Sequence, residues 1–127
     1  MQLRVLAVDD SKLARMVIAN AFRRLRPEWT LLEATSAEEA LTAVAAGTVD
    51  LALVDFNMPG TDGLELVANI RKTHPEMPIA VVSANAQNEI IQRARDLNAG
   101  FITKPLTDEA LAAYLTGAAL RLKRPAR

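Results

Sequence analysis

Short apolar runs alternate with longer stretches in which apolar residues recur every three or four positions, and the pair of patterns repeats five times along the 127 residues. Leu3 to Val8, Asp50 to Val54 and Ile79 to Ser83 are runs of the first kind, and Thr30 to Ala34 and Phe101 to Thr103 are weaker ones. No polar residue interrupts Leu51-Ala52-Leu53-Val54. A strand covered on both faces reads this way, because neither face meets water. In the second kind, Lys12 to Leu25 carries Ala14, Val17, Ile18, Ala21, Phe22 and Leu25 on one helical stripe, which leaves Leu13 and Met16 off the core face. Ser36-Ala37-Glu38-Glu39 has the form of a capping box, with Glu39 reaching back to Ser36. Leu64 to Lys72 predicts a third helix. Ile90, Ile91, Ala94 and Leu97 predict a fourth, ended by Asn98-Ala99-Gly100. Thr107-Asp108-Glu109 opens a fifth, with acids where the helix dipole favours them.

Strands alternating with helices predict an α/β fold, a doubly wound five-stranded parallel sheet of (βα)5, flavodoxin-like type, with helices on both faces. Right-handed crossovers bring the C-terminal ends of the strands to one edge, where ligands sit in such sheets. Strand one ends in Asp9-Asp10, strand three in Asp55, strand four in Ser83, and strand five just before Lys104. Strand two ends in nothing similar. Singly, each has an ordinary reading as a strand end, a cap or a surface lysine. The topology, however, gathers all of them into one crevice.

Three crowded carboxylates raise one another's pKa unless a cation is present. Mg²⁺ suits them, because it takes oxygen ligands and shares its shell with phosphate oxygens. A carboxylate beside such an ion can act as a nucleophile and form an aspartyl phosphate. Lys104 and the Ser83 hydroxyl are then candidates to bind phosphoryl oxygens.

The segments MQLRVLAVDDSKLAR, LALVDFNMPGTDGLEL, IAVVSANAQ and AGFITKPL resemble the receiver domains of two-component response regulators, over about residues 2 to 121. The resemblance implies Asp55 as phosphoacceptor, Asp10 as direct ligand of Mg²⁺ (or Mn²⁺), Asp9 acting partly through water, and the Asn57 backbone carbonyl as a further ligand. It implies Ser83 as a switch hydroxyl, Lys104 as phosphate-binding, a cis Lys104-Pro105 bond, and Phe101 as the aromatic that moves after phosphorylation. Many relatives carry Tyr at the position of Phe101. The implied partners are a sensor histidine kinase or a histidine phosphotransfer protein, and an output protein that the sequence does not identify. The implied output surface is the face made by the fourth helix, fifth strand and fifth helix. On this reading the chain is a switch rather than an enzyme, catalysing only its own phosphoryl transfer and dephosphorylation. The expected organisation is a receiver domain over 1–122 with a short basic tail at 123–127.

Other readings are narrower. A phosphatase of the haloacid dehalogenase type places its nucleophile after strand one in an Asp-x-Asp pair, whereas here the acids are adjacent. A receiver-like interaction module that is never phosphorylated does not require the acid pair, Asp55 and Lys104 together. A flavin-binding protein fits poorly with five aromatic residues. Lysine plus arginine balance aspartate plus glutamate at 15 each, which argues against a nucleic-acid partner. There is no cysteine, hence no disulfide and no thiolate metal site. With no signal-like leader and no run of about 18 apolar residues, the expectation is a cytoplasmic chain without a membrane partner.

Overall fold

The computed structural model describes residues 2–122, so the basic tail at 123–127 lies outside the described residues. Five strands form one parallel sheet: β1 (Arg4–Val8), β2 (Thr30–Ala34), β3 (Leu51–Asp55), β4 (Ile79–Ser83) and β5 (Gly100–Thr103), in the order β2-β1-β3-β4-β5. The helices α1 (Lys12–Leu25), α2 (Ala37–Ala45), α3 (Gly63–Arg71), α4 (Asn88–Asp96) and α5 (Asp108–Leu122) alternate with them. This is the doubly wound, flavodoxin-like architecture expected from the pattern.

The uninterrupted apolar runs become the central strands, and every residue of β3 and β4 is buried. Side chains alternate between two cores, as the pleat requires. Val5, Ala7, Leu51, Leu53, Ala80 and Val82 meet α1 and α5 through Ile18, Phe22, Leu111 and Leu115. Leu6, Val8, Ala52, Val54, Ile79 and Val81 meet α2, α3 and α4 through Val44, Leu66, Ile70 and Ile90. The order reverses direction between β1 and β3, which opens a crevice beyond their C-terminal ends.

Local details depart from the sequence expectations in instructive ways. Glu39 accepts from the Thr35 amide at 2.7 Å and the Thr35 hydroxyl at 2.8 Å, one residue before Ser36, while Ser36 caps the Glu39 amide at 3.1 Å. Helix α3 starts one residue early because Asp62 caps it, its carboxylate accepting from the Glu65 amide at 2.8 Å. Asn98 alone, at φ 58, makes the left-handed exit from α4, and Gly100 joins β5 instead. Val17, assigned to the core stripe of α1, is 46% exposed alongside Leu13 at 70% and Met16 at 52%. The stripe outruns its cover: Leu13 and Val17 line an open cavity with Pro105 and Leu106 of the loop that enters α5.

Candidate functional site

Four of the five strands deliver groups to the crevice from their C-terminal ends. β1 hands on Asp9, whose amide donates to the Ala34 carbonyl at 3.0 Å, so the acid pair begins on a backbone tied to β2. The Asp9 carboxylate accepts from the Ser11 amide at 2.9 Å, and Ser11 in turn caps α1 through the Ala14 amide at 3.2 Å. Asp9 is buried, and Asp10 is exposed at the mouth. Asp55 is the last residue of β3, paired with Val82 of β4, and it is buried too. Carboxylate oxygens of Asp9, Asp10 and Asp55 all lie within 4.8 Å of one another.

Past Asp55 the chain turns tightly. Gly60 takes φ 80, a conformation that strains other residues. Gly63 answers a different need: its amide donates to the Phe56 carbonyl at 2.7 Å, and a Cβ there would collide with the Asp55 carbonyl oxygen. Only a residue without a side chain lets α3 begin this close to the end of β3. Asn57, in the same turn, is exposed.

On the other side, the Lys104 amide donates to the Ser83 carbonyl at 2.9 Å, tying the ends of β4 and β5 together. The Lys104-Pro105 bond is cis. The Lys104 ammonium reaches an Asp55 carboxylate oxygen at 2.9 Å and one of Asp9 at 3.6 Å. Ser83 is 1% exposed, and its oxygen accepts from the Asn85 amide at 3.0 Å, leaving the hydroxyl proton to donate. Phe101 is half-buried and packs into the core on the α2–α4 side.

The charges do not balance. Burial pushes the Asp55 carboxyl above its usual range. The Lys104 hydrogen bond works against this, while the charges of Asp9 and Asp10 add to it. For Lys104, burial favours the neutral amine, but the bond and charge of Asp55, with Asp9 behind it, outweigh burial and raise the ammonium's pKa. Carboxylates held together against their own repulsion, all offering oxygen, make a donor set that fits a hard divalent ion such as Mg²⁺.

Two further residues, missed in the sequence, bear on the site. Arg15 of α1 donates to the Asp9 carbonyl at 2.8 Å and to the Glu33 carboxylate at 2.8 Å. Strand β2 therefore does contribute, through Glu33, a charged residue inside an otherwise apolar strand end. That interruption is the signal that could have found it.

Beside Asp55 and Lys104, a cavity of about 290 Å³ runs between α1 and the loop before α5, lined by Leu13, Ala14, Val17, Ile18, Pro105 and Leu106. Among the described residues, no helix is long and apolar enough to cross a membrane.

A family model for the response regulator receiver domain matches residues 5–116. The chemotaxis protein CheY-3 of Vibrio cholerae is 34% identical over 112 residues, covering 86% of this chain and 85% of that protein. The cyclic di-GMP phosphodiesterase response regulator RpfG of Xanthomonas campestris is 34% identical over 116 residues. That match takes in 87% of this chain but spans only 30% of the relative's length. Among solved structures, chemotaxis protein CheY4 of Vibrio cholerae superposes with a TM-score of 0.84 at 26% identity, over 93% of this chain and 99% of that one.

Proposed function

The chain belongs to the response regulator receiver family of two-component signalling systems, and from that premise we propose that it is a switch thrown by phosphorylation of Asp55. One observation carries the reading: the oxygens of Asp9, Asp10 and Asp55 converge within 4.8 Å while Lys104 stands 2.9 Å from Asp55. The donor is a phosphohistidine on a sensor histidine kinase or a histidine phosphotransfer protein. An Asp55 carboxylate oxygen attacks phosphorus in line. A P–O bond forms, the P–N bond breaks, and its electron pair stays on the imidazole nitrogen.

Asp9, Asp10 and Asp55, with the Asn57 backbone carbonyl, would hold Mg²⁺ (or Mn²⁺). When bound, the ion supplies the positive charge that the transferring phosphoryl oxygens need. Lys104, already on Asp55, passes to a phosphoryl oxygen, and the Ser83 hydroxyl donates to another. Burial of Asp55 and Ser83 limits water at the reacting oxygen. The cavity beside α1, lined in part by exposed Leu13 and Val17, offers the donor protein an apolar landing next to Asp55.

The output follows from Ser83 and Phe101. A hydroxyl drawn toward the phosphoryl group frees space at the end of β4, and Phe101 on the paired strand β5 responds. The face made by α4, β5 and α5 then changes its affinity for an output partner, as a shift between two states. The chain turns over no outside substrate on this reading; it catalyses its own phosphorylation and dephosphorylation.

Acetyl phosphate with Mg²⁺, followed by intact mass, tests this. The expected outcome is one phosphoryl group on the wild-type chain and none on Asp55→Asn. Labelling that survives Asp55→Asn, or a wild-type chain that takes no label, overturns the reading.

A further inference from the structure

We infer that Arg15 is a positioning residue for the divalent-cation site, aiming Asp10 by gripping the peptide that precedes it; this rests on the metal role proposed above. The Asp9 carbonyl and the Asp10 amide belong to one planar peptide unit. A hydrogen bond to that carbonyl therefore sets the plane from which Asp10 projects. Arg15 makes that bond with one guanidinium nitrogen at 2.8 Å, and its Nε holds Glu33 at 2.8 Å. The Arg15 side chain is 14% exposed and its contact with the Asp9 carbonyl is partly buried, so water competes poorly there, whereas the Glu33 contact lies at the surface.

Among the described residues, the other hydrogen bonds and ion pairs on the acid pair all fall on Asp9. Its amide is held by Ala34 at 3.0 Å, and its carboxylate by Ser11 at 2.9 Å and Lys104 at 3.6 Å. Asp10 is exposed and depends on its backbone for direction. Glu33 fixes the guanidinium from the strand side and offsets its charge, so the positive group adds little repulsion to a cation bound nearby. A forked guanidinium can hold a carbonyl and a carboxylate at once, which an ammonium at one point cannot do as well.

The sign of one measurement separates positioning from charge. Arg15→Met removes a positive charge near a cation site, so a purely electrostatic role predicts tighter Mg²⁺ binding. Positioning predicts weaker binding, and loss of a residue that orients a metal ligand costs about tenfold or more in affinity. The experiment is a calorimetric titration of the full chain with Mg²⁺. The expected result is a Kd raised about tenfold or more in R15M, with acetyl phosphate labelling restored to the wild-type rate at saturating Mg²⁺. Arg15→Lys keeps the charge and loses the fork, so it should also bind more weakly, and it carries the test if R15M does not fold. A smaller rise, tighter binding, or a labelling defect that saturating Mg²⁺ leaves in place overturns the inference while the proposed function stands. A wild-type chain that binds no Mg²⁺ removes the metal role and this inference with it.

Discussion

At the N-terminal end of the sheet, the Arg71 guanidinium donates to the backbone carbonyls of Leu97, His74, Met77 and Asn98 at 2.7 to 3.0 Å. At the C-terminal end, the Lys104 ammonium faces carboxylates of Asp55 and Asp9 at 2.9 and 3.6 Å, with Asp10 in the same cluster. The first arrangement sets one cation among neutral acceptors that need a donor anyway, and it staples the loop after α3 to the exit from α4. The second sets a single ammonium among three like charges. Burial and repulsion hold Asp55 above its usual range even with Lys104 bonded to it. One end of the sheet is assembled to be satisfied. The other is held short of satisfaction, so a divalent cation or a phosphoryl group has something to complete.

Three experiments can break or sharpen this contrast. The largest effect expected is on the acidic end: Mg²⁺ at about a hundred times its Kd should add about 2.7 kcal/mol of stability by mass action. Thermal unfolding with and without the ion checks this, and Asp10→Asn should remove most of the gain. A chain indifferent to Mg²⁺ would mean the crowded carboxylates are not waiting for a cation. Next, Arg71→Met should cost about 2 kcal/mol, because it strips the donor from several partly buried carbonyls. Denaturant unfolding measures that loss, and the Mg²⁺ Kd should stay unchanged. A joint loss of stability and Mg²⁺ affinity would show that the two ends are coupled rather than contrasting.

The smallest effect concerns pH. Asp55 binds its proton more tightly folded than unfolded, so its contribution to stability is greatest in acid and falls as the pH rises through its folded titration. Replacing it with a neutral isostere removes that penalty, although Lys104 then keeps only Asp9. Without Mg²⁺, Asp55→Asn should be more stable than wild type at neutral pH, measured by denaturant unfolding. The margin should shrink on acidification through the range just above the ordinary carboxylate pKa. A margin that widens in acid would mean Lys104 outweighs burial at Asp55.

Much of this was legible beforehand, and the failures have identifiable causes. The central strands were readable because burial on both faces demands unbroken runs such as Leu51 to Val54. Asp9, Asp10, Asp55, Ser83 and Lys104 are readable as a group because each lies at or just after the C-terminal end of a strand, and parallel strands end at one edge. The role of Asp62 as the cap of α3 escapes the sequence, since it depends on where the turn after Asp55 closes. Val17 was assigned to the core because helical spacing identifies a face but not how far the neighbouring element covers it.

Arg15 and Glu33 lie 18 positions apart, on a helix and a strand whose packing no local pattern reports. The sequence by itself determined the order of elements and the chemical kinds available at the sheet edge, because periodicity and residue type are local properties of the chain. Tertiary structure decided the rest: that three carboxylates converge within 4.8 Å, that Lys104 reaches Asp55 first, and that Arg15 holds the peptide leading to Asp10. Distance and burial set the strength of these interactions, and both arise only when distant segments are packed together.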